Sequence, residues 1–109
     1  MSEWRESAVA NVRAGRVAEG TNALLALTFN EPDVAWLQTF LLECLNSSLD
    51  IQIRALAVTC VGHVARLHGE VSDELVAKLR ELLEDPVLGG QVEDAFDDIS
   101  AFVPGGHEL

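Results

Sequence analysis

The sequence predicts an all-α fold, an α-solenoid of about three antiparallel hairpins made from six short helices. Apolar residues recur three and four positions apart along most of the chain, which is the spacing of one helix face. Short breaks rich in Gly, Pro, Asn or Ser separate these stretches, and helices joined by short connections pack antiparallel. No stretch combines strand-like alternation with flanking turn residues.

The first three predicted helices lie in the N-terminal part of the chain. The first covers residues 2–13 and ends near Gly15, and the second covers residues 16–28. Asp33 follows a proline-containing break and is a suitable N-cap for the third helix, because its carboxylate can accept a backbone N–H bond. We interpret Trp36 as a core residue, with an interface role as the alternative. The apolar stripe of the third helix contains Val34, Leu37, Leu41, Cys44 and Leu45, widened by Trp36 and Phe40.

The fourth helix, about residues 50–68, is apolar nearly all round, which predicts a central position in the fold. Its polar side chains fall on one narrow line at about 100° per residue, and this line is its expected contact with solvent. We call Gln52, Thr59, His63 and Arg66 the polar line. The apolar positions are Ile53, Leu56, Ala57, Cys60, Val61, Val64 and Leu67.

The last two predicted helices carry most of the acidic residues. Ser72 caps the fifth helix, in which Glu74–Lys78 and Arg80–Glu84 are spaced as i,i+4 ion pairs. The sixth helix follows the Gly-Gly pair at residues 89–90 and ends before Pro104. One arc of it is apolar, with Val92, Ala95, Phe96, Ile99 and Phe102. The opposite arc, which we call the acidic face, contains Glu93, Asp94, Asp97 and Asp98.

Length and composition indicate one domain with a real core. The chain has 109 residues, of which 49% are hydrophobic, and this argues against disorder despite a net charge of −11. It contains no apolar run of the about 20 residues that a membrane span needs and no signal-peptide pattern, so we expect a cytoplasmic protein. Cys44 and Cys60 lie in apolar surroundings and are predicted to be buried free thiols.

The charge is distributed unevenly along the chain. Residues 1–69 hold seven acidic and five basic residues, whereas residues 70–109 hold eleven acidic and two basic residues, giving net charges of −2 and −9. Such a surface repels nucleic acid and anionic membranes and attracts basic proteins. The acidic face therefore has two interpretations, a solvated face that aids solubility or a docking surface for a basic partner.

The sequence offers no catalytic motif, and we expect no enzyme activity. The acidic residues lie along one helix face without a nucleophile beside them, and neither a phosphate-binding glycine-rich loop nor a nucleophile elbow is present. Cys60 and His63 have a spacing that could place two metal ligands together, but no third ligand is nearby. We therefore expect no metal and no cofactor, and we interpret His63 as a hydrogen-bonding or partner-contact residue.

The helix pairs resemble HEAT repeats. The third and fourth helices align with the fifth and sixth at an offset of about 38 residues, and two-helix repeats near 40 residues are typical of HEAT solenoids. Asp50, Ile53-Arg54, Ala57 and Gly62 follow the HEAT pattern. The resemblance implies one domain, with repeats at residues 33–69 and 70–103, a degenerate hairpin at 1–32 and a flexible tail at 104–109. It also implies that Arg54 pairs with a loop aspartate such as Asp50 or Asp85.

Two longer segments extend this resemblance to a functional group of HEAT-like proteins. AVTCVGHVARLHGEV, residues 57–71, and VEDAFDDISAF, residues 92–102, are similar to bacterial immunity proteins of polymorphic or contact-dependent growth inhibition toxin systems. The resemblance implies an antitoxin that binds a cognate toxin protein domain, and we expect it to be a monomer when free. The charge distribution adds that this domain is basic, as a nuclease that holds phosphates must be, and that the protein binds neither nucleic acid nor membrane. The expected contacts are the acidic face, flanked by Glu81, Glu84 and Asp85, and joined by His63 and Arg66 if the polar line faces the same groove.

Two other functions fit the same fold. A general HEAT-like adaptor would bind some other protein, and its acidic residues would be incidental. A HEAT-type lyase subunit acting on a protein-bound chromophore would need catalytic acids in a deep groove, for which the chain is short.

Overall fold

The computed structural model describes residues 2–105, and the side chains from Glu3 onward. Within this range the chain forms six α-helices and no β-strand, so the predicted all-α class is confirmed. Of the predicted tail at 104–109, residues 106–109 lie outside the described residues. The helices are α1 (Ser2–Arg13), α2 (Val17–Asn30), α3 (Val34–Leu45), α4 (Ile51–His68), α5 (Asp73–Leu82) and α6 (Gly89–Phe102).

Most helix ends follow from local chemistry. The Asp33 and Ser72 side chains accept N–H bonds from Trp36 and Leu75, so both predicted N-caps are confirmed. The αL conformation of Gly69, with φ 68°, ends α4, and a residue with a Cβ adopts this conformation at a cost. Two ends differ from prediction: α2 continues to Asn30, and α6 begins at Gly89, so the two glycines form its first turn.

The fourth helix is central, as its composition predicts. It packs against α2, α3 and α6, while α1 packs on α2 and α5 contacts both α3 and α6. Ile53, Ala57 and Val61 of α4 are completely buried. The prediction that Leu67 belongs to the buried face of α4 is wrong. Leu67 lies in the last turn of the helix and is 51% exposed.

Aromatic rings of α3 contact the arginine side chains of α1. Trp36 stacks on Phe40 with ring centroids 5.3 Å apart, and the guanidinium carbon of Arg5 lies 4.3 Å from the Trp36 ring centroid. Arg13 lies 5.9 Å from the Phe40 ring centroid. Such cation–π contacts contribute about 0.5–1 kcal/mol each at exposed sites. Trp36 is partly buried and packs against the core, in agreement with its interpretation as a core residue.

Three predicted ion pairs are absent as direct contacts. Arg54 forms no ion pair within 4 Å with Asp50 or Asp85 among the described residues; its Nε donates to the Leu49 carbonyl at 2.8 Å and so closes the loop before α4, although its charge still attracts Asp85 from a longer distance. Lys78 pairs with Glu81 at 3.6 Å, one turn along the helix, rather than with Glu74. Helix α5 ends at Leu82, which places Glu84 beyond the helical i,i+4 geometry.

No helix in residues 2–105 is both long and apolar enough to cross a membrane.

Candidate partner-binding surface

The acidic face of α6 lies opposite its buried side. Val92, Ala95 and Ile99 are buried, so they fix the rotation of α6 about its own axis. That rotation leaves Glu93, Asp94 and Asp97 exposed, while Asp98 is half-buried. Three of the four acidic residues thus occupy the solvent side that the sequence spacing predicts for them, while Asp98 lies where α6 meets α4.

Asp98 marks the boundary between α6 and α4. A Cβ built on Gly62 of α4 would lie 2.6 Å from Oδ2 of Asp98 and 3.6 Å from the Ala95 Cα. The two helices therefore approach closely where residue 62 has no side chain. This contact places the Asp98 carboxylate beside the backbone of α4 and brings the acidic face to the edge of that helix.

The polar line of α4 lies next to this edge. Gln52, Thr59 and Arg66 are exposed, and His63 is partly buried. The guanidinium carbon of Arg66 lies 5.8 Å from the ring centroid of Phe102, the last residue of α6. Arg66, at one end of the polar line, therefore lies beside the end of α6, and we treat this side of α4 together with the acidic face as the candidate surface.

Helix α2 adds a residue to this surface that sequence reasoning missed. The Phe29 ring lies 5.0 Å from the His63 ring, centroid to centroid, and the side chain is 52% exposed. The only local signal is a phenylalanine one residue before the end of a helix, next to the polar Asn30. Its contact with His63 depends on how α2 crosses α4, which the local pattern does not encode.

The three predicted flanking residues have different surroundings. Glu84 is exposed, and Glu81 pairs with Lys78. Asp85 Oδ1 accepts N–H bonds from Leu88 at 2.9 Å and Val87 at 2.8 Å. These two bonds, first the one from Leu88, lower the pKa of the Asp85 carboxyl below its ordinary value, and attraction to the Arg54 guanidinium adds a smaller lowering. Asp85 therefore organises the turn that leads into α6.

Ion pairs are concentrated away from α6. Among residues 2–105 there are three: Arg5–Glu31 at 3.4 Å, Arg13–Glu43 at 2.8 Å and Lys78–Glu81 at 3.6 Å. Two of them hold α1 against the segment from Glu31 to Glu43. None includes an acidic residue of α6, so no basic side chain of residues 2–105 lies within 4 Å of a carboxylate of the acidic face.

The cysteines are buried thiols, as predicted. Burial raises the pKa of the Cys44 thiol to about 12, and burial raises that of Cys60 to about 11 against an opposing hydrogen bond with Thr28. Both thiols are therefore protonated and unreactive near neutral pH. Within the described part of the chain, no three His, Cys, Asp or Glu side chains are grouped as metal ligands would be.

A shallow groove of about 520 Å³ lies between α3 and α5. Its polar lining includes Gln38, Ser72, Glu70 and Glu74, and the buried Gln38 Oε1 accepts the Ser72 N–H at 2.6 Å. The Gln38 bond anchors the start of α5 to α3 and explains why a polar side chain is buried there.

Comparison with known proteins identifies no relative. No protein-family model matches the chain, and neither a curated protein nor a solved structure matches it significantly.

Proposed function

We propose that the protein is an immunity protein that binds and neutralises a basic toxin domain through the surface formed by α4 and α6. The observation that carries the proposal is the contrast in how acidic residues are used. Glu31 and Glu43 pair with arginines of α1, whereas Glu93, Asp94 and Asp97 are exposed on one helix and form none of the ion pairs of residues 2–105.

The chemistry of nuclease-type toxins fits this surface. An enzyme that cleaves nucleic acid needs lysines and arginines to hold phosphates, and its active site is therefore positively charged. An acidic protein accelerates its encounter with such a site by electrostatic attraction and blocks it on binding. This mode of inhibition requires no catalytic group, metal or cofactor in the inhibitor, which would act in the cytosol where the toxin's substrate is found.

The proposal includes a HEAT-like arrangement of the helices as three stacked hairpins. Helix α4 contacts α2 on one side and α6 on the other, which supports a layer ordered α2, α4, α6. Arg5 and Arg13 of α1 reach the aromatic rings of α3, and α3 contacts α5, which supports a second layer ordered α1, α3, α5. In this arrangement the proposed contact surface is the outer side of one layer.

The test is a growth-rescue assay combined with co-purification. A toxin domain is sought among the products of the neighbouring genes and co-expressed with the protein, and we expect a complex that survives purification and cells that keep growing. A variant with Glu93→Gln, Asp94→Gln, Asp97→Gln and Asp98→Gln, here called the α6-Gln variant, should fail to protect.

A matched control changes the same number of charges elsewhere. Glu3→Gln, Glu6→Gln, Glu19→Gln and Glu74→Gln, here called the control-Gln variant, alters four exposed acids on α1, α2 and α5 that form none of the ion pairs of residues 2–105. It should protect like the parent. Equal loss of protection by both variants would show that protection depends on net charge and not on the acidic face. Full protection by the α6-Gln variant would overturn the proposal.

A further inference from the structure

Three helices expose a large hydrophobic side chain at their C-terminal ends. Phe29 is one residue from the end of α2, Leu67 is one residue from the end of α4, and Phe102 is the last residue of α6. Their exposed fractions are 52%, 51% and 48%. A single exposed hydrophobic residue is ordinary on a protein surface, whereas contiguous ones indicate a contact site.

Cross-helix contacts join these three ends into one patch. The Phe29 ring lies 5.0 Å from that of His63, and Arg66 lies 5.8 Å from the Phe102 ring centroid. A Cβ on Gly69, the residue that ends α4, would lie 3.5 Å from the Phe102 carbonyl oxygen. We call this patch the aromatic row; it consists of Phe29, His63, Arg66, Leu67 and Phe102.

The charge around the aromatic row specifies its partner. The C-terminal ends of helices carry partial negative charge, and α4 and α6 end side by side at the row. Asp98 lies one turn before Phe102 on the edge of α6 that faces α4, and the exposed Asp94 precedes it by a further turn. Arg66 and His68 lie in the last turn of α4, so the acidic border of the row is on its α6 side. A hydrophobic patch with acids along one border is complementary to a hydrophobic side chain that has lysines or arginines on the matching side.

We infer that the aromatic row anchors a hydrophobic side chain of a basic protein segment, while the neighbouring acidic face holds the flanking cations of that segment. The inference rests on the proposed function and adds to it the place where binding energy is concentrated. Interfaces obtain most of their affinity from a few desolvated anchors, and the surrounding charges mainly affect the association rate and specificity.

The probe is a pair of synthetic peptides of equal charge. Each has about 18 residues, or five helical turns, with lysines on one face. In the first peptide leucines form the other face at helical spacing, and in the second a serine replaces each leucine. We expect the protein to bind the leucine peptide about tenfold more tightly, which corresponds to one modest anchor. The binding site, mapped by backbone amide NMR shifts, should centre on Phe29, His63 and Phe102.

Paired variants separate this inference from the proposed function. Phe29→Ser with Phe102→Ser removes two exposed rings and should abolish the preference for the leucine peptide. Leu83→Ser with Val87→Ser, which changes two other exposed hydrophobic residues, should keep it. Equal binding of both peptides by the parent, binding of neither, or an unchanged preference in the phenylalanine variant would overturn the inference. So would self-association of the parent through the row, measured by sedimentation.

The rescue assay distinguishes the two proposals. If the phenylalanine variant protects cells as well as the parent while the α6-Gln variant does not, the acidic surface remains the proposed toxin site and the aromatic anchor is wrong.

Discussion

The N-terminal part of the protein, through α3, and the last helix use acidic side chains in opposite ways. Glu31 is 4% exposed; its Oε2 accepts the Asp33 N–H at 2.9 Å and faces Arg5 at 3.4 Å. Asp97 of α6 is exposed and forms none of the ion pairs found in residues 2–105. The difference shows that net charge alone does not predict the role of an acidic residue. The Glu31 carboxylate bonds within the protein, whereas the Asp97 carboxylate faces solvent and could contact a partner.

The largest expected loss of stability comes from a substitution in the core, against which both regions pack. Ala57 of α4 is completely buried. Ala57→Asp places an unpaired carboxylate there, at a cost of several kcal/mol against a typical domain stability of about 5–15 kcal/mol. We expect loss of the helical circular dichroism signal or a greatly lowered melting temperature. Thr59→Asp, on the exposed polar line of the same helix, is the control and should melt like the parent.

The next effect compares the two kinds of carboxylate directly. Glu31→Ala leaves the Asp33 N–H and Arg5 without their acceptor and should destabilise the protein by about 1–3 kcal/mol. Asp97→Ala should change stability by no more than about 0.5 kcal/mol, as is usual for exposed positions. Urea unfolding of both variants gives the comparison. Equal effects would mean that the two acids do not differ in the way described.

A smaller effect concerns the turn before α6 and depends on pH. The folded state lowers the pKa of Asp85, so the ionised carboxylate stabilises the fold above the ordinary carboxyl pKa of about 3.9. This contribution is lost as the pH falls from there through the lowered pKa. Asp85→Asn cannot ionise, and it should therefore lose less stability than the parent between neutral and strongly acidic pH. The melting temperature of each protein is measured as a function of pH. An equal fall in melting temperature for the parent and the variant as the pH is lowered would contradict a stabilising role of the Asp85 carboxylate.

The smallest expected effect on stability comes from the acidic face. Glu93–Asp97 and Asp94–Asp98 are like-charge i,i+4 pairs, and each costs about 0.2–0.5 kcal/mol. The α6-Gln variant should therefore melt at the same temperature as the parent or slightly higher. A clearly lower melting temperature would show that these acids support the fold.

Local chemistry in the sequence accounts for most of the helices. Apolar spacing predicts the six helices and the central position of α4, and the side chains of Asp33 and Ser72 mark helix starts. The sequence pattern predicts that α6 begins after Gly89 and Gly90, because a Gly-Gly pair usually indicates a break between helices. In the structure α6 begins at Gly89. Leu88 is buried just before these glycines, and the Asp85 carboxylate holds the preceding turn.

Contacts between helices are harder to predict from sequence. The acidic face follows from the spacing of residues within α6. The proximity of Phe29 to His63, of Arg66 to Phe102 and of Asp98 to Gly62 depends on how separate helices cross. The pairing of Arg54 is missed for the same reason, since the Leu49 carbonyl is nearer to its side chain than a loop carboxylate is.

The most direct test of the proposed acidic docking surface is the binding rate of the toxin domain to three proteins: the parent, the α6-Gln variant and the control-Gln variant. The measurement covers salt concentrations over which the Debye length falls from about 10 Å to about 3 Å. We predict fast association of the parent that slows with salt, a similar result for the control, and slow, nearly salt-independent association of a stably folded α6-Gln variant. An α6-Gln variant that binds as fast as the parent, with the same salt dependence, would contradict the account.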